Sequence, residues 1–183
     1  MTPWVTPWVT PWGVTPAIVL LAAVTAERLA ELWLARHNTA ALLANGAREV
    51  APGHYPLIVL LHTLWLAGLW AIGWDAPVRV GWLMVFLALQ AGRVWVITTL
   101  GRRWTTRIIV VPGAPLVRTG PYRFVTHPNY LVVIGEIAVL PLCLGLPWYA
   151  LVFSIANLAV LAIRLRAENA SLVELREIVN SNS

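Results

Sequence analysis

The 183-residue sequence has no lysine, and charged side chains of all kinds make up only 11% of it. Soluble domains carry about 25% charged residues, so this composition excludes an ordinary soluble domain. The single cysteine, Cys143, excludes an intramolecular disulfide and any cysteine-based metal motif, and no metal site is predicted. No basic stretch precedes an apolar run at the N-terminus, so no cleavable signal peptide is expected.

Hydrophobic residues instead make up 59% of the chain, with a mean hydropathy of +0.73. Each of the main apolar runs approaches the ~20 residues that cross ~30 Å of hydrocarbon. We therefore predict an all-α, polytopic membrane protein with about five transmembrane helices, of which the last two form a tight helical hairpin. The predicted spans are 16–35, 55–73, 79–100, 130–147 and 148–166.

Both termini differ from the spans. Residues 1–16 repeat the tetrapeptide TPWV, and proline at every fourth position prevents a regular helix. We predict a flexible segment rich in proline and tryptophan over 1–15 and a single membrane domain over 16–183. Leucines spaced among charges over 164–179 indicate an amphipathic extension of the last helix along the interface.

The arginines are concentrated in alternate loops. The stretches 36–54 and 101–129 and the C-terminal tail carry most of them, whereas 74–78 and the hairpin turn carry few or none. The positive-inside rule places the arginine-rich loops in the cytoplasm. The net charge of +5 thus indicates a lipid bilayer as partner rather than nucleic acid, and no obligate protein partner is evident. The arginine-only, alanine-rich composition suggests a bacterial inner membrane.

The stretch 120–130, GPYRFVTHPNY, is the most polar insertion between two apolar blocks. Proline suits the first position of a helix, so Pro128 is expected to start one, with Thr126 or His127 at its cap. The free N–H groups and positive dipole end of such a helix can hold an anion. The alternative is a membrane-interface loop, which is also basic and aromatic.

Arg164 and Glu168 lie one helical turn apart on one stripe of the fifth span. They can form a simple surface pair worth a few tenths of a kcal/mol. However, the hairpin returns the end of this span to the membrane face where the fourth span begins. We therefore expect Arg164 and Glu168 to lie near His127 and Tyr130, at a site on the cytoplasmic side.

Ionisable residues also occur inside the spans, where they are costly without a partner or a function. We predict that Arg93 pairs with Glu27 or Glu31 in a structural role. Glu136 follows Asn129 by seven residues and so faces the same way on the fourth helix. It is predicted to line the site that begins there, or alternatively to pair with Arg93.

Taken together, a G-x-Y turn, an H-P-x-Y motif, two apolar helices and the sequence RLRAENASL over 164–172 resemble the isoprenylcysteine carboxyl methyltransferase family. This family is part of a wider group of integral-membrane methyltransferases that includes phospholipid methyltransferases. The strong resemblance covers 93–172. One departure is Asn169, which stands where the family has a second glutamate. Further stretches that look like bacterial members are Glu27–Leu32, His54–Pro56 and Arg103–Ile109.

The resemblance implies a cytosolic pocket for S-adenosyl-L-methionine as methyl donor. It implies that Arg164 faces the acceptor and serves the catalytic and substrate-binding role. Glu136, from its place on the fourth helix, is a second substrate-binding candidate. The implied cofactor-binding residues are Pro115, Leu116, Val117, Tyr122, His127, Pro128, Asn129, Tyr130 and Glu168.

The acceptor implied by the resemblance is a lipophilic small molecule or prenylated protein, methylated on a carboxylate or on an enol or phenol oxygen. Isoprenylcysteine-type and alkylpyrone-type acceptors both fit, and the R-x-R-x-E-N ending resembles bacterial enzymes that act on alkylpyrones. One alternative is phospholipid N-methylation, although an amine acceptor favours a carboxylate or base over Arg164. Another is a non-enzymatic scaffold or transport subunit that uses its intramembrane charges structurally.

Overall fold

The computed structural model describes residues 14–181, with side chains described through Glu168 except that of His54. Nearly all of the predicted flexible segment 1–15 lies outside the described residues. The described chain is mainly helical with very little sheet, which confirms the predicted all-α fold. Its elements are α1 (Pro16–Ala44), β1 (Arg48–Glu49), α2 (Tyr55–Gly73), α3 (Val80–Leu100), β2 (Ile109–Val110), α4 (Pro128–Cys143) and α5 (Pro147–Ser181), with β1 and β2 paired antiparallel.

Three of the described helices are long and apolar enough to cross a membrane: α2, α3 with its C-terminal turn, and the part of α5 up to Glu168. At 1.5 Å per residue α4 reaches only about 24 Å. The apolar stretch of α1 contains Glu27, Arg28 and Glu31. Large apolar side chains on the outside, such as Trp33 and Trp148 at 69% and 78% exposure, suit contact with lipid. The chain is an integral membrane protein.

The first helix is longer than predicted. The span was predicted to end at residue 35, but α1 continues to Ala44 and shortens the predicted loop 36–54. The added turns consist largely of alanine and leucine, which favour helix. They are also anchored, because the buried Asn38 donates from Nδ2 to the backbone oxygens of Gly101 at 3.2 Å and Trp104 at 2.9 Å.

Replacing Asn38 with alanine is therefore expected to destabilise the protein by about 1–3 kcal/mol, because the buried carbonyl of Trp104 and the carbonyl of Gly101 lose their donor. Thermal unfolding in detergent, followed by circular dichroism, measures the effect. The matched control is Asn45→Ala, which removes an exposed amide bonded only to Ala41 O at 2.7 Å. Equal effects of the two substitutions would show that Asn38 does not anchor α1.

The predicted hairpin between the last two helices is confirmed. Helix α4 ends at Cys143, Gly145 takes a positive φ of 71°, and Leu146 N donates to Pro141 O at 2.9 Å. The tight turn needs glycine, since other residues rarely adopt this backbone conformation. Helix α5 then runs from Pro147 to Ser181 without interruption, so the predicted extension beyond 164 is helical.

The two ends of the bundle differ in character. At one end, Thr15 Oγ1 donates to Trp74 O at 2.5 Å, which ties the start of α1 to the end of α2. Arg79 N donates to Cys143 O at 2.8 Å, which ties the start of α3 to the end of α4. The main apolar core, built around Trp65 and other residues of α1 to α4, packs towards this end. The arginine-rich loops meet at the opposite end. The cytoplasmic location of that end stays a prediction.

Candidate functional site

Helix α4 begins at Pro128, as predicted, with His127 at the cap position. The His127 side chain makes no capping hydrogen bond to the helix. Its ring instead stacks on the Tyr130 ring, with centroids 4.9 Å apart and planes 8° from parallel. The histidine therefore leaves the first turn of α4 uncapped by a side chain and orients the tyrosine.

Tyr130 joins α4 to α5. Its hydroxyl donates to Glu168 Oε2 at 2.8 Å and accepts from Arg164 Nε at 2.9 Å. The Arg164 guanidinium also lies 5.5 Å from the Tyr130 ring centroid and donates from Nη1 to Thr106 O at 2.9 Å. The predicted proximity of Arg164, Glu168, His127 and Tyr130 is confirmed. One phenolic oxygen connects the cation to the carboxylate.

Tyr122 packs beside this group, against a small apolar cluster that contains Ala35, Val96 and Trp104. Burial raises the pKa of Tyr122 to about 12, and the negative charge of Glu168 adds to the shift. The phenol therefore stays protonated at physiological pH and remains available as a hydrogen-bond donor.

The loop segment 115–117 is less enclosed. The backbone oxygen of Pro115 accepts from Arg103 Nη1 at 2.7 Å, and Leu116 is 81% exposed. The structure does not place Pro115, Leu116 or Val117 in the wall of the cavity described next. Their role in binding a cofactor stays a prediction.

A cavity of about 450 Å³ opens between α1, α2 and α5, with walls also from α3, α4 and the segment 104–106. This volume is within the usual 300–1,000 Å³ of small-molecule sites. The wall is mostly apolar and includes Asn129, Tyr130 and Arg164 at the α4–α5 side. The cavity is therefore continuous with the Tyr130 cluster.

A buried ionic network lies beside the cavity. Arg93 donates to both carboxylate oxygens of Glu31, at 2.6 Å from Nη2, and to Glu136 Oε2 at 2.8 Å from Nη1. Arg28 donates to Glu31 at 2.9 Å and forms an ion pair with Glu136 at 2.9 Å. Two arginines and two glutamates thus balance within the helices.

The network confirms that Arg93 pairs with Glu31. It also confirms the alternative given for Glu136, which is 2% exposed and bound to Arg93. Glu136 is outside the cavity wall, and its part in substrate binding stays a prediction. Glu27 does not pair with Arg93 but accepts from Gln90 Nε2.

Sequence reasoning missed several residues of this region. Arg28 could have been found, because it stands three residues before Glu31 and so lies on the same face of the helix. His62 could also have been found, because an ionisable residue inside the apolar run of α2 indicates a partner or a function. The carbonyl of Thr106 had no signal in the sequence, because a backbone acceptor carries no residue-specific pattern.

A bundle of membrane helices with an apolar cavity and a polar cluster at one end offers a site for a small molecule. The profile of the isoprenylcysteine carboxyl methyltransferase (ICMT) family matches residues 82–174. The chain belongs to this family. Membership makes it a membrane methyltransferase by class, in a family that generally uses S-adenosylmethionine.

Two relatives match along most of the chain. "Uncharacterized protein YpbQ" of Bacillus subtilis (strain 168) is 38% identical over 161 residues, which cover 85% of this chain and 96% of the relative. An "Uncharacterized protein" of Haemophilus influenzae is 25% identical over 164 residues, covering 86% and 95%. No solved structure matches the chain significantly. The relatives extend the similarity beyond the profile match into the first helices.

Proposed function

We propose that the protein is an S-adenosylmethionine-dependent O-methyltransferase that acts on a lipophilic acceptor at the cytoplasmic face of the bacterial inner membrane. The observation that carries the proposal is the Arg164–Tyr130–Glu168 bridge, which lies at the wall of a largely apolar cavity. A bridge between the start of α4 and the middle of α5 holds a cation and a carboxylate at one fixed position.

The donor side of the proposed site is the polar cluster. S-adenosylmethionine supplies a methyl group on a positively charged sulfur, together with an ammonium, a carboxylate and ribose hydroxyls. The residues fit these groups: Glu168 can accept from an ammonium or hydroxyl, and the positive dipole end at the start of α4 favours a carboxylate. Asn129 Oδ1 supports the fit, because this buried oxygen has no hydrogen-bond partner among the described residues.

The remaining donor contacts are assigned by the family motif. His127 and Pro128 fix the start of α4, and Tyr122 presents a protonated hydroxyl near Glu168. The 115–117 backbone is assigned to the donor by the resemblance alone. These assignments extend the motif to this chain, and the binding experiment below tests Glu168 and His127 among them.

The acceptor side is the cavity. Leu29 of α1 and Val59 of α2 line it and are themselves 63% and 40% exposed. A lipid chain can enter from the bilayer across this apolar rim. Arg164 in the same wall then orients the acceptor oxygen towards the donor. Positioning of this kind is worth ~7–11 kcal/mol of a reaction barrier.

Calorimetry of purified protein in detergent tests the donor site. We expect wild-type protein to bind S-adenosylmethionine and Glu168→Gln to bind it ~10- to 100-fold more weakly, because a hydrogen bond to a charged group is worth about 1.5–3 kcal/mol. His127→Ala is expected to weaken binding as well.

The matched control is Glu49→Gln, which removes a carboxylate that pairs with Arg107 at the surface, at 2.8 Å. It is expected to bind the donor as wild type does. No binding by folded wild-type protein would overturn the proposal, and unchanged binding by Glu168→Gln would remove Glu168 from the site.

A further inference from the structure

Two stretches outside the Tyr130 cluster meet at the same end of the cavity. They are His54–Pro56, at the start of α2, and Arg103–Ile109, which follows α3. The pairing of β1 with β2 holds the two loops together. The guanidinium of Arg107 also lies 4.8 Å from the centroid of the Tyr55 ring. The two stretches are therefore fixed against each other where the cavity meets the Tyr130 cluster.

Thr106 connects the first residue of α2 to α5. Its Oγ1 donates to the hydroxyl oxygen of Tyr55 at 3.2 Å, and its backbone oxygen accepts from Arg164 Nη1 at 2.9 Å. All three residues line the cavity. One loop residue therefore sets the distance between the phenol of Tyr55 and the guanidinium of Arg164.

Both of these groups keep a hydrogen-bond donor that the described residues leave unused. Arg164 donates from Nε to Tyr130 and from Nη1 to Thr106, whereas its Nη2 donates to none of the described residues. The Tyr55 oxygen accepts from Thr106, and no described residue accepts the Tyr55 hydrogen. A guanidinium only donates and a phenol can donate, so the two form a pair of donors at the cavity wall.

This pair lies at the polar end of an elongated cavity. On α2 the wall runs from Tyr55 to Trp70, a distance of about 22 Å at 1.5 Å per residue. The wall between them is mostly apolar, and at the far end Trp70 Nε1 is already bonded to Thr25 Oγ1 of α1, at 3.0 Å. A lipid whose chain extends along α2 therefore places its head group between Tyr55 and Arg164.

We propose that Tyr55 is a second contact of the acceptor head group beside Arg164, and that Thr106 is the positioning residue that holds these two donors at a fixed separation. The inference rests on the proposed methyltransferase function and adds two residues to its acceptor side. An acceptor held by donors from two different helices has little freedom to turn away from the methyl group. Thr106 acts through the other two residues, because its hydroxyl anchors the loop to α2 and its backbone oxygen anchors Arg164.

Binding of N-acetyl-S-farnesylcysteine, a lipophilic carboxylate, tests the contact in purified protein without donor. Tryptophan fluorescence reports the binding, since several tryptophans line the cavity. We expect wild-type protein to bind the probe, and Arg164→Met and Tyr55→Phe to bind it at least ~10-fold more weakly, because each loses a hydrogen bond to a charged group. The control Tyr149→Phe removes a hydroxyl outside this cavity and is expected to bind the probe as wild type does.

The variants Thr106→Val and Thr106→Ser test the positioning role. Valine removes the hydroxyl and is expected to weaken binding of the probe ~3- to 10-fold, whereas serine keeps the hydroxyl and is expected to restore binding. In methyl transfer, Thr106→Val is expected to raise KM for the acceptor more than KM for S-adenosylmethionine, because the proposed donor contacts do not include Thr106. The control Thr98→Val removes a hydroxyl that bonds to Val94 O of its own helix at 2.7 Å and is expected to change neither.

The double variant Tyr55→Phe, Thr106→Val shows whether Thr106 acts through Tyr55. It is expected to bind the probe no more weakly than Tyr55→Phe alone, because both changes remove the same hydrogen bond. Additive losses, or a serine variant as weak as the valine variant, would overturn the role of Thr106.

The remaining outcomes separate the two proposals. Wild-type binding by Tyr55→Phe would overturn the contact, and wild-type protein that binds the probe no better than Arg164→Met would overturn the position of the head group. Wild-type protein that binds no S-adenosylmethionine contradicts the methyltransferase proposal, while the donor-free comparisons still test this one. If Thr106→Val does not fold, Thr106→Ala takes its place, and Tyr55→Phe, which keeps the ring beside Arg107, decides the contact.

Discussion

Replacing Arg93 with methionine is expected to destabilise the protein by about 3–5 kcal/mol, which is the usual cost of removing one partner from a buried ion pair. Arg93 donates to Glu31 and Glu136 and is 6% exposed. Without it, Arg28 alone faces two buried carboxylates. One of them then carries an uncompensated charge, or takes up a proton to avoid it.

Unfolding of the purified protein by a denaturing detergent, measured by circular dichroism, gives the free energy. The control is Arg107→Met, because the Arg107 side chain is 43% exposed and pairs with Glu49, and an exposed pair contributes ~0–1 kcal/mol. The double variant Arg93→Met, Glu31→Gln is expected to recover part of the loss, since it removes the carboxylate left unpaired. A loss below about 1 kcal/mol for Arg93→Met would contradict the network's structural role.

Helix positions were largely readable from the sequence because apolar runs in a membrane protein have a length set by the bilayer. The second run, 55–73, matches α2 residue for residue. The end of α1 was not readable, since residues 36–44 are neither apolar enough to count as a span nor broken by proline or glycine. Asn38 anchors the added turns through acceptors at 101 and 104 that are far away in the sequence, and the helix ends at Asn45 and at Gly46, whose φ is 85°.

The candidate site was predictable where it depends on helix geometry. Because the turn at Gly145 is short, the end of the membrane section of α5 must return to the start of α4. The contact between Arg164 and Tyr130 could therefore be predicted from the sequence. The hydrogen bonds of the Tyr130 hydroxyl to Arg164 and Glu168 could not be predicted, because they depend on the side-chain rotamers. The contact of Arg164 with Thr106 was also unreadable, since the loop 101–127 has no periodicity to place it.

The buried network and the cavity share residues, and this connects stability to the proposed chemistry. Arg28, Glu31 and Arg93 line the cavity, and the charges of the three are balanced together with Glu136. The pairs therefore hold α1, α3 and α4 together and also set the cavity's electrostatic balance. The sequence indicated the pairing of Arg93 but not the inclusion of Arg28, which converts a single pair into a balanced set of four.

Replacing Tyr130 with phenylalanine is expected to lower kcat/KM for methyl transfer at least ~100-fold. The change removes the oxygen that donates to Glu168 at 2.8 Å and accepts from Arg164 at 2.9 Å. Hydrogen bonds to charged groups are worth about 1.5–3 kcal/mol each, and tenfold in rate corresponds to about 1.4 kcal/mol. The ring that stacks on His127 is retained, so the substitution isolates the hydroxyl.

The consequence for the site is a change of partners. With the hydroxyl gone, Arg164 and Glu168 are one turn apart on α5 and can pair directly, which draws the guanidinium away from the proposed acceptor position and the carboxylate away from the proposed donor position. Both KM for the donor and kcat are therefore expected to worsen. The control Tyr149→Phe removes a hydroxyl bonded to Trp65 O at 2.8 Å near the hairpin end and is expected to lower stability by about 1 kcal/mol without changing kcat/KM. Activity of Tyr130→Phe within threefold of wild type would show that the bridge does not organise catalysis, because the remaining contacts would then suffice to hold Arg164 and Glu168 in place.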